Sequence, residues 1–188
     1  MSLRLFIALW PSPSVRRSVA DTTAWLRGRH QLPPARWVDA VRYHATLVFL
    51  GNFARPAPAI VEAATAALAA VELSPFVWTL DLATSFPAPR PPWVLTGRPP
   101  PALPALRQSL WQILRDSAGL PMPMRPFVPH LTIAYGRRER LPTLPVPAVH
   151  WQVDTLVLAA SQPDRRDYVH LAEAGCQARN ATWVTSPR

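Results

Sequence analysis

The stretch His44-Ala45-Thr46-Leu47-Val48-Phe49 returns later in the chain as His130-Leu131-Thr132-Ile133-Ala134-Tyr135. In each copy a His and a Thr two residues apart sit inside an apolar, β-branched run. A strand alternates its side chains between its faces, so the two polar groups of a copy are expected on one side. The spacing therefore predicts two strands that each turn an imidazole and a hydroxyl to a common groove. Imidazole titrates near neutral pH without large perturbation, so a facing pair can supply one general acid and one general base.

Residues 3–10 read as a buried first strand, and residues 11–29 as a helix capped by Ser12 or Ser14. Val15, Val19, Thr22 or Thr23 and Leu26 fall on its core side. Pro33 and Pro34 break the chain, residues 35–38 read as a short strand, and residues 43–49 as the first motif strand, ended by Gly51-Asn52. An Ala-rich helix is expected over 56–71. The second half repeats this order loosely. Residues 76–85 alternate as a strand with a hairpin partner at 93–96. Residues 103–118 carry Leu106, Leu110, Ile113 and Leu114 on one stripe and stop at Gly119. The second motif strand covers 128–135 and closes on Gly136 and the cluster Arg137, Arg138 and Arg140, and two strands at 153–160 and 168–174 finish the fold. This order predicts an α+β protein of two pseudo-symmetric lobes of antiparallel sheet, helices outside, around a central cleft. It is expected to form a single bilobal domain over 1–175 with a polar tail at 176–188.

The chain has 188 residues, 49% of them hydrophobic, enough for a sizeable core. No apolar run approaches the roughly 20 residues of a membrane helix, and the apolar start is cut short by Pro11, unlike a secretory signal. A monomeric cytoplasmic protein with no membrane partner is expected. The single cysteine, Cys176, rules out an internal disulfide and offers no metal-site spacing. A formal charge of +9 and a pI near 11.4 favour an anionic partner, nucleic acid above all. All 20 basic residues are Arg, and Ala and Pro are abundant, which also reads as compositional bias.

Opening a cyclic phosphodiester needs a base for the attacking water on one side of phosphorus and an acid for the departing oxygen on the other. Two imidazoles across a groove meet that need. The Thr hydroxyls, roughly 6–7 Å along each strand from the His, can donate to the non-bridging oxygens as negative charge builds. No Asp/Glu cluster or His/Cys set at ligand spacing competes, so no metal is expected. A lone His-x-Thr is a common chance pattern, and His30, His150 and His170 lack the Thr; the doubled copy carries the signal.

The chain resembles the 2H phosphoesterase superfamily, and within it the RNA 2',3'-cyclic phosphodiesterases, also described as 2'-5' RNA ligase-like proteins. The resemblance rests on Arg4-Leu5-Phe6-Ile7-Ala8-Leu9, Arg36-Trp37-Val38, the first motif through Gly51, Phe86-Pro87, and Arg125-Pro126-Phe127-Val128-Pro129 leading into the second motif. It implies a two-lobed fold, no metal or organic cofactor, and hydrolysis of RNA 2',3'-cyclic phosphate ends, or of a cyclic nucleotide, to a 2'-phosphate. His44 would be the proton donor to the leaving 3' oxygen and His130 the proton acceptor from water, with Thr46 and Thr132 holding the phosphate. Where the family commonly has Arg three residues after the second Thr, this chain has Tyr135, so phosphate binding there is expected to be weaker or to be taken over by Arg137 or Arg138, although a run of charges after a strand reads first as a solvated turn. Phe6, Trp37, Phe86 and Trp93 are candidates to stack on a terminal base, Trp37 foremost. An RNA-binding protein with weak or lost turnover and a 2'-5' RNA ligase acting at the same site are the alternatives.

Overall fold

Strand β1 (Leu3–Leu9) turns Leu5, Ile7 and Leu9 to a helix-covered core and Phe6 and Ala8 to a second, smaller apolar cluster. That division fixes the two faces of the first sheet. Helix α1 (Pro13–Arg29) starts where Ser12 accepts a bond from the Val15 amide at 3.3 Å, and it buries the expected stripe of Val15, Val19, Thr22, Thr23 and Leu26. A three-residue strand β2 (Ala35–Trp37) and a 3-10 turn at Ala40–Arg42 lead into β3 (Ala45–Phe53). The chain continues through α2 (Pro58–Ala70), β4 (Phe76–Ser85), β5 (Pro92–Thr96), α3 (Ala102–Ala118), β6 (Leu131–Gly136), β7 (Leu144–Val153), β8 (Thr155–Ser161) and β9 (Val169–Gly175). The computed structural model describes residues 3–55, 58–118, 126–162 and 167–175, so the expected tail at 176–188 and the helix stop at Gly119 lie outside the described residues.

The strands form two antiparallel sheets, ordered β3-β1-β8-β9 and β2-β6-β5-β4-β7. With β2 set aside, the two orders correspond. Each has its motif strand (β3 or β6), then the strand one helix earlier in the chain (β1 or β5), then two more. The α+β, two-lobed architecture is therefore present, but the lobes are interleaved along the chain, because β8 returns to pair with β1 and β9 then pairs with β8. The helices interleave as well. α1 packs on β7 of the five-stranded sheet, where the Thr22 hydroxyl donates to the Pro147 carbonyl at 3.2 Å, while α3 packs on α2 and β3 of the four-stranded one.

Three local departures from the expected pattern shape the cleft. Both motif strands start one residue after their His, at Ala45 and Leu131, so the imidazoles sit at the strand mouths. β3 does not end at Gly51-Asn52: Gly51 takes a φ of 141°, open to glycine, and the strand runs on to Phe53. β7 was not among the expected strands; it carries Pro145 and Pro147 and lies at the edge of its sheet, where a missing amide donor is tolerated.

Both motif strands also carry β-bulges. Opposite β1, β3 pairs Thr46 with Ala8 and Val48 with Ile7, leaving Leu47 as the extra residue. Opposite β5, β6 pairs Thr132 with Val94 and Ala134 with Trp93, leaving Ile133 extra. In each case the extra residue and its successor are both buried in the main core. The aromatic three places after each Thr is thereby returned to the Thr face. The carbonyl of Leu47 accepts a bond from Arg107 Nε of α3 at 3.1 Å, which ties the bulge to the opposite half of the chain.

Candidate active site

The two imidazoles are held in the same way. His44 Nδ1 lies 2.7 Å from the Arg42 carbonyl, and His130 Nδ1 lies 2.7 Å from the Val128 carbonyl. A carbonyl only accepts, so Nδ1 carries the hydrogen in both rings and Nε2 is left as the working nitrogen. Supports behind these carbonyls fix them. Arg16 donates from Nε to the Pro11 carbonyl at 3.0 Å and from one terminal nitrogen to the Ala40 and Val41 carbonyls at 3.1 and 2.6 Å, clamping the turn that ends at Arg42. On the other lobe, Thr96 Oγ1 donates to the Pro129 carbonyl at 2.8 Å.

The surroundings of the rings differ. His44 stacks on Phe6 at 5.0 Å and on Trp10 at 5.8 Å, with Tyr168 edge-on at 4.9 Å, whereas His130 meets Phe86 edge-on at 4.8 Å. Burial pushes the His44 pKa down to about 4; the Arg42 carbonyl pulls it back, and the charges of Arg42, His130 and Arg16 push it further down. The charge of His130 thus reaches His44 from the other lobe. Burial also lowers the His130 pKa, against the raising effect of the Val128 carbonyl. Both rings are therefore neutral at pH 7 in the open cleft.

Thr46 and Thr132 are half-buried, and among the described residues neither hydroxyl has a hydrogen-bond partner. Tyr135, 36% exposed, pairs in register with Arg36 of β2, whose guanidinium lies over its ring at 5.1 Å. Its pKa is raised by burial and by Tyr168, and lowered by Arg36, Arg4 and Arg42. The guanidinium beside Tyr135 is thus that of Arg36, and takeover by Arg137 or Arg138 does not occur. Both are exposed on the turn after Gly136, where the Arg137 amide bonds the Pro34 carbonyl at 3.3 Å, and the structure does not bring them into this group.

Of the expected stacking residues, Phe86 borders His130 and Phe6 borders His44. Trp37 packs edge-to-face on Trp93 at 5.8 Å and lies under Arg27 of α1 at 5.0 Å, on the helix side of its sheet, because its neighbour Arg36 takes the cleft side. Trp93 is wholly buried core. Phe6, 5% exposed, is the floor beneath the His44 ring rather than a surface for a base. Sequence reasoning missed four cleft residues. Phe49, 52% exposed, pairs with Phe6 and so shares the His44 face. Trp10 was taken only as the end of a strand, Tyr168 lies just ahead of β9, and Arg42 sits in a turn that no periodicity announces. The bulges could have been suspected from the matching aromatics at 49 and 135.

Comparison with known proteins places this fold. A family model described as the 2'-5' RNA ligase superfamily matches residues 11–165. No curated protein matches the chain. Among solved structures, Escherichia coli LigT complexed with 3'-AMP shares the fold with a TM-score of 0.76 at 25% identity, over 95% of this chain and 100% of that one. The same protein complexed with ATP gives 0.74 at 25% identity, again over 95% and 100%. A structure described as a phosphoesterase gives 0.73 at 26% identity, over 90% of this chain and 94% of its own. With the family model spanning most of the sequence and these folds agreeing along nearly their full lengths, the chain belongs to the 2'-5' RNA ligase superfamily, the two-histidine phosphoesterases.

Proposed function

We propose that the protein hydrolyses the 2',3'-cyclic phosphate end of RNA to a 2'-phosphate. The observation that carries this reading is the matched pair of Nδ1-anchored imidazoles, each 2.7 Å from its own carbonyl, which leaves two Nε2 atoms to flank one phosphate. Water attacks phosphorus as His130 Nε2 takes its proton. The bond from phosphorus to the 3' oxygen breaks, and that oxygen takes a proton from His44 Nε2. Thr46 and Thr132 donate to the non-bridging oxygens as the trigonal bipyramid forms. His44 must enter protonated, and the negative phosphate arriving between the rings opposes the burial that keeps it neutral, so the proton comes with the substrate. The E. coli relative, bound to 3'-AMP, supports a nucleotide phosphate as the ligand.

The family description favours one second reading, in which the 5' hydroxyl of another RNA replaces water and a 2'-5' linkage results. The same two rings serve both. The test is incubation with adenosine 2',3'-cyclic phosphate and with a short RNA bearing that end, chelator present. The expected product is a 2'-phosphate, with His44→Ala and His130→Ala each slower by about 100-fold or more. A 3'-phosphate product, or unaltered rates in both variants, would overturn the reading.

A further inference from the structure

We infer that Arg4, Arg36 and Arg42, gathered around Tyr135 and Tyr168, form a second anion subsite beside the two-histidine centre, which takes the next phosphate of a substrate carrying two. The inference rests on the reading of the cleft as a nucleotide phosphoesterase site and adds what else the substrate must bear.

The subsite begins at the edge of the catalytic pair. Tyr168 touches the His44 ring edge-on at 4.9 Å and Phe6 at 5.3 Å, so it borders the space before the imidazole. Arg42 lies over Tyr168 at 4.5 Å and Arg36 over Tyr135 at 5.1 Å, each lobe supplying one guanidinium on one phenol ring. Arg4 lies two residues from Phe6 on β1, on the same face of the sheet, and is exposed. Tyr135 feels Tyr168, Arg36, Arg4 and Arg42, so groups from both lobes lie around it. Among the described residues neither Arg4 nor Arg36 makes an ion pair. Gathering like charges is unfavourable until an anion enters between them. The Arg36 guanidinium resting on the Tyr135 ring is already ordered, so little freedom is lost on capture. The phosphate under attack is served by Thr46 and Thr132; Arg4 and Arg36 are left for its neighbour in the substrate.

Calorimetric titration of adenosine 2'-monophosphate and adenosine 2',5'-bisphosphate into the intact protein reads the subsite without turnover. The bisphosphate is expected to bind roughly tenfold to a hundredfold tighter, the range for charge-assisted hydrogen bonds to one further phosphate. That advantage shrinks in Arg36→Gln and in Arg4→Gln and is largely restored in Arg36→Lys, with thermal melting curves confirming that each variant is folded. A dinucleotide ending in a 2'-phosphate separates the sources. Binding like the bisphosphate assigns the subsite to a chain diester, and binding like the monophosphate assigns it to a terminal phosphate. Equal affinities of the two mononucleotides for the wild type, or an advantage that survives both Gln variants, would overturn the inference. Failure of hydrolysis in the cyclic phosphate assay would count against the catalytic reading and leave this comparison intact.

Discussion

His44 should make the protein acid-labile in a way that its replacement cures. In the unfolded chain its pKa is the ordinary 6.5; in the fold, burial against Phe6, Trp10 and Tyr168 holds it at about 4. Above about pH 6.5 neither state binds the proton, and the ring contributes no pH dependence. Between 6.5 and 4 the unfolded state binds it and the native state does not, so stability falls as the pH falls through that window. The gap between 6.5 and about 4, at about 1.4 kcal/mol per unit, sets a ceiling of about 3 kcal/mol, of which about 2.5 is already lost near pH 4.5. Urea unfolding near pH 7 and near pH 4.5, for wild type and His44→Gln, isolates this contribution, because the carboxylates and other imidazoles cancel in the difference. The wild type should lose about 2–2.5 kcal/mol more than the variant over that interval. Equal losses would mean that the ring titrates as an open imidazole and that its aromatic enclosure does not exclude the proton.

Thr46→Val and Thr132→Val keep the side-chain shape and remove only the hydroxyl, so each should lower kcat by about 100-fold with a far smaller change in KM, measured by steady-state kinetics on the cyclic phosphate. Unchanged kcat in both would remove the threonines from the reaction. A Cβ at Gly136 would lie 2.5 Å from the Glu139 carbonyl and 2.8 Å from Trp93 Nε1, across the 3.3 Å bond those two groups share. Gly136→Ala should therefore cost about 2–3 kcal/mol in chemical denaturation. Gly28→Ala in α1, with nothing within 4 Å of the new methyl, should gain about 0.5–1 kcal/mol. Similar effects at the two glycines would refute the packing argument.

The sequence was most legible where local chemistry decides. The α1 stripe from Val15 to Leu26 and the Ser12 cap are written in the spacing, as are the paired His-x-Thr segments. It was least legible where distant residues decide. That β8 pairs with β1 depends on contacts between opposite ends of the chain, and that Pro145 and Pro147 are tolerated in β7 depends on its being an edge. The face of Phe49 could not follow from strict alternation, since Leu47 and Leu50 are extra residues opposite β1. The charge lost at Tyr135 was sought among the nearest arginines in sequence, yet Arg36 reaches it by strand pairing and Arg42 and Arg4 act on it from the other lobe. Trp37 shows the same limit: one position along β2 separates the cleft from the core.

The exchange of helices between the sheets has a mechanical consequence. α1 springs from the four-stranded sheet and rests on the five-stranded one, and α3 springs from the latter and rests on β3. Each half of the polypeptide thus completes the other's interior, and neither can stand as an autonomous folding unit. Prying the jaws apart would strip a helix from its seat, so the gap between the two Nε2 atoms is set once, by folding. Under the proposed function, substrate would then enter by threading an exposed end between walls already in place, which suits a terminal phosphate and excludes the middle of a duplex.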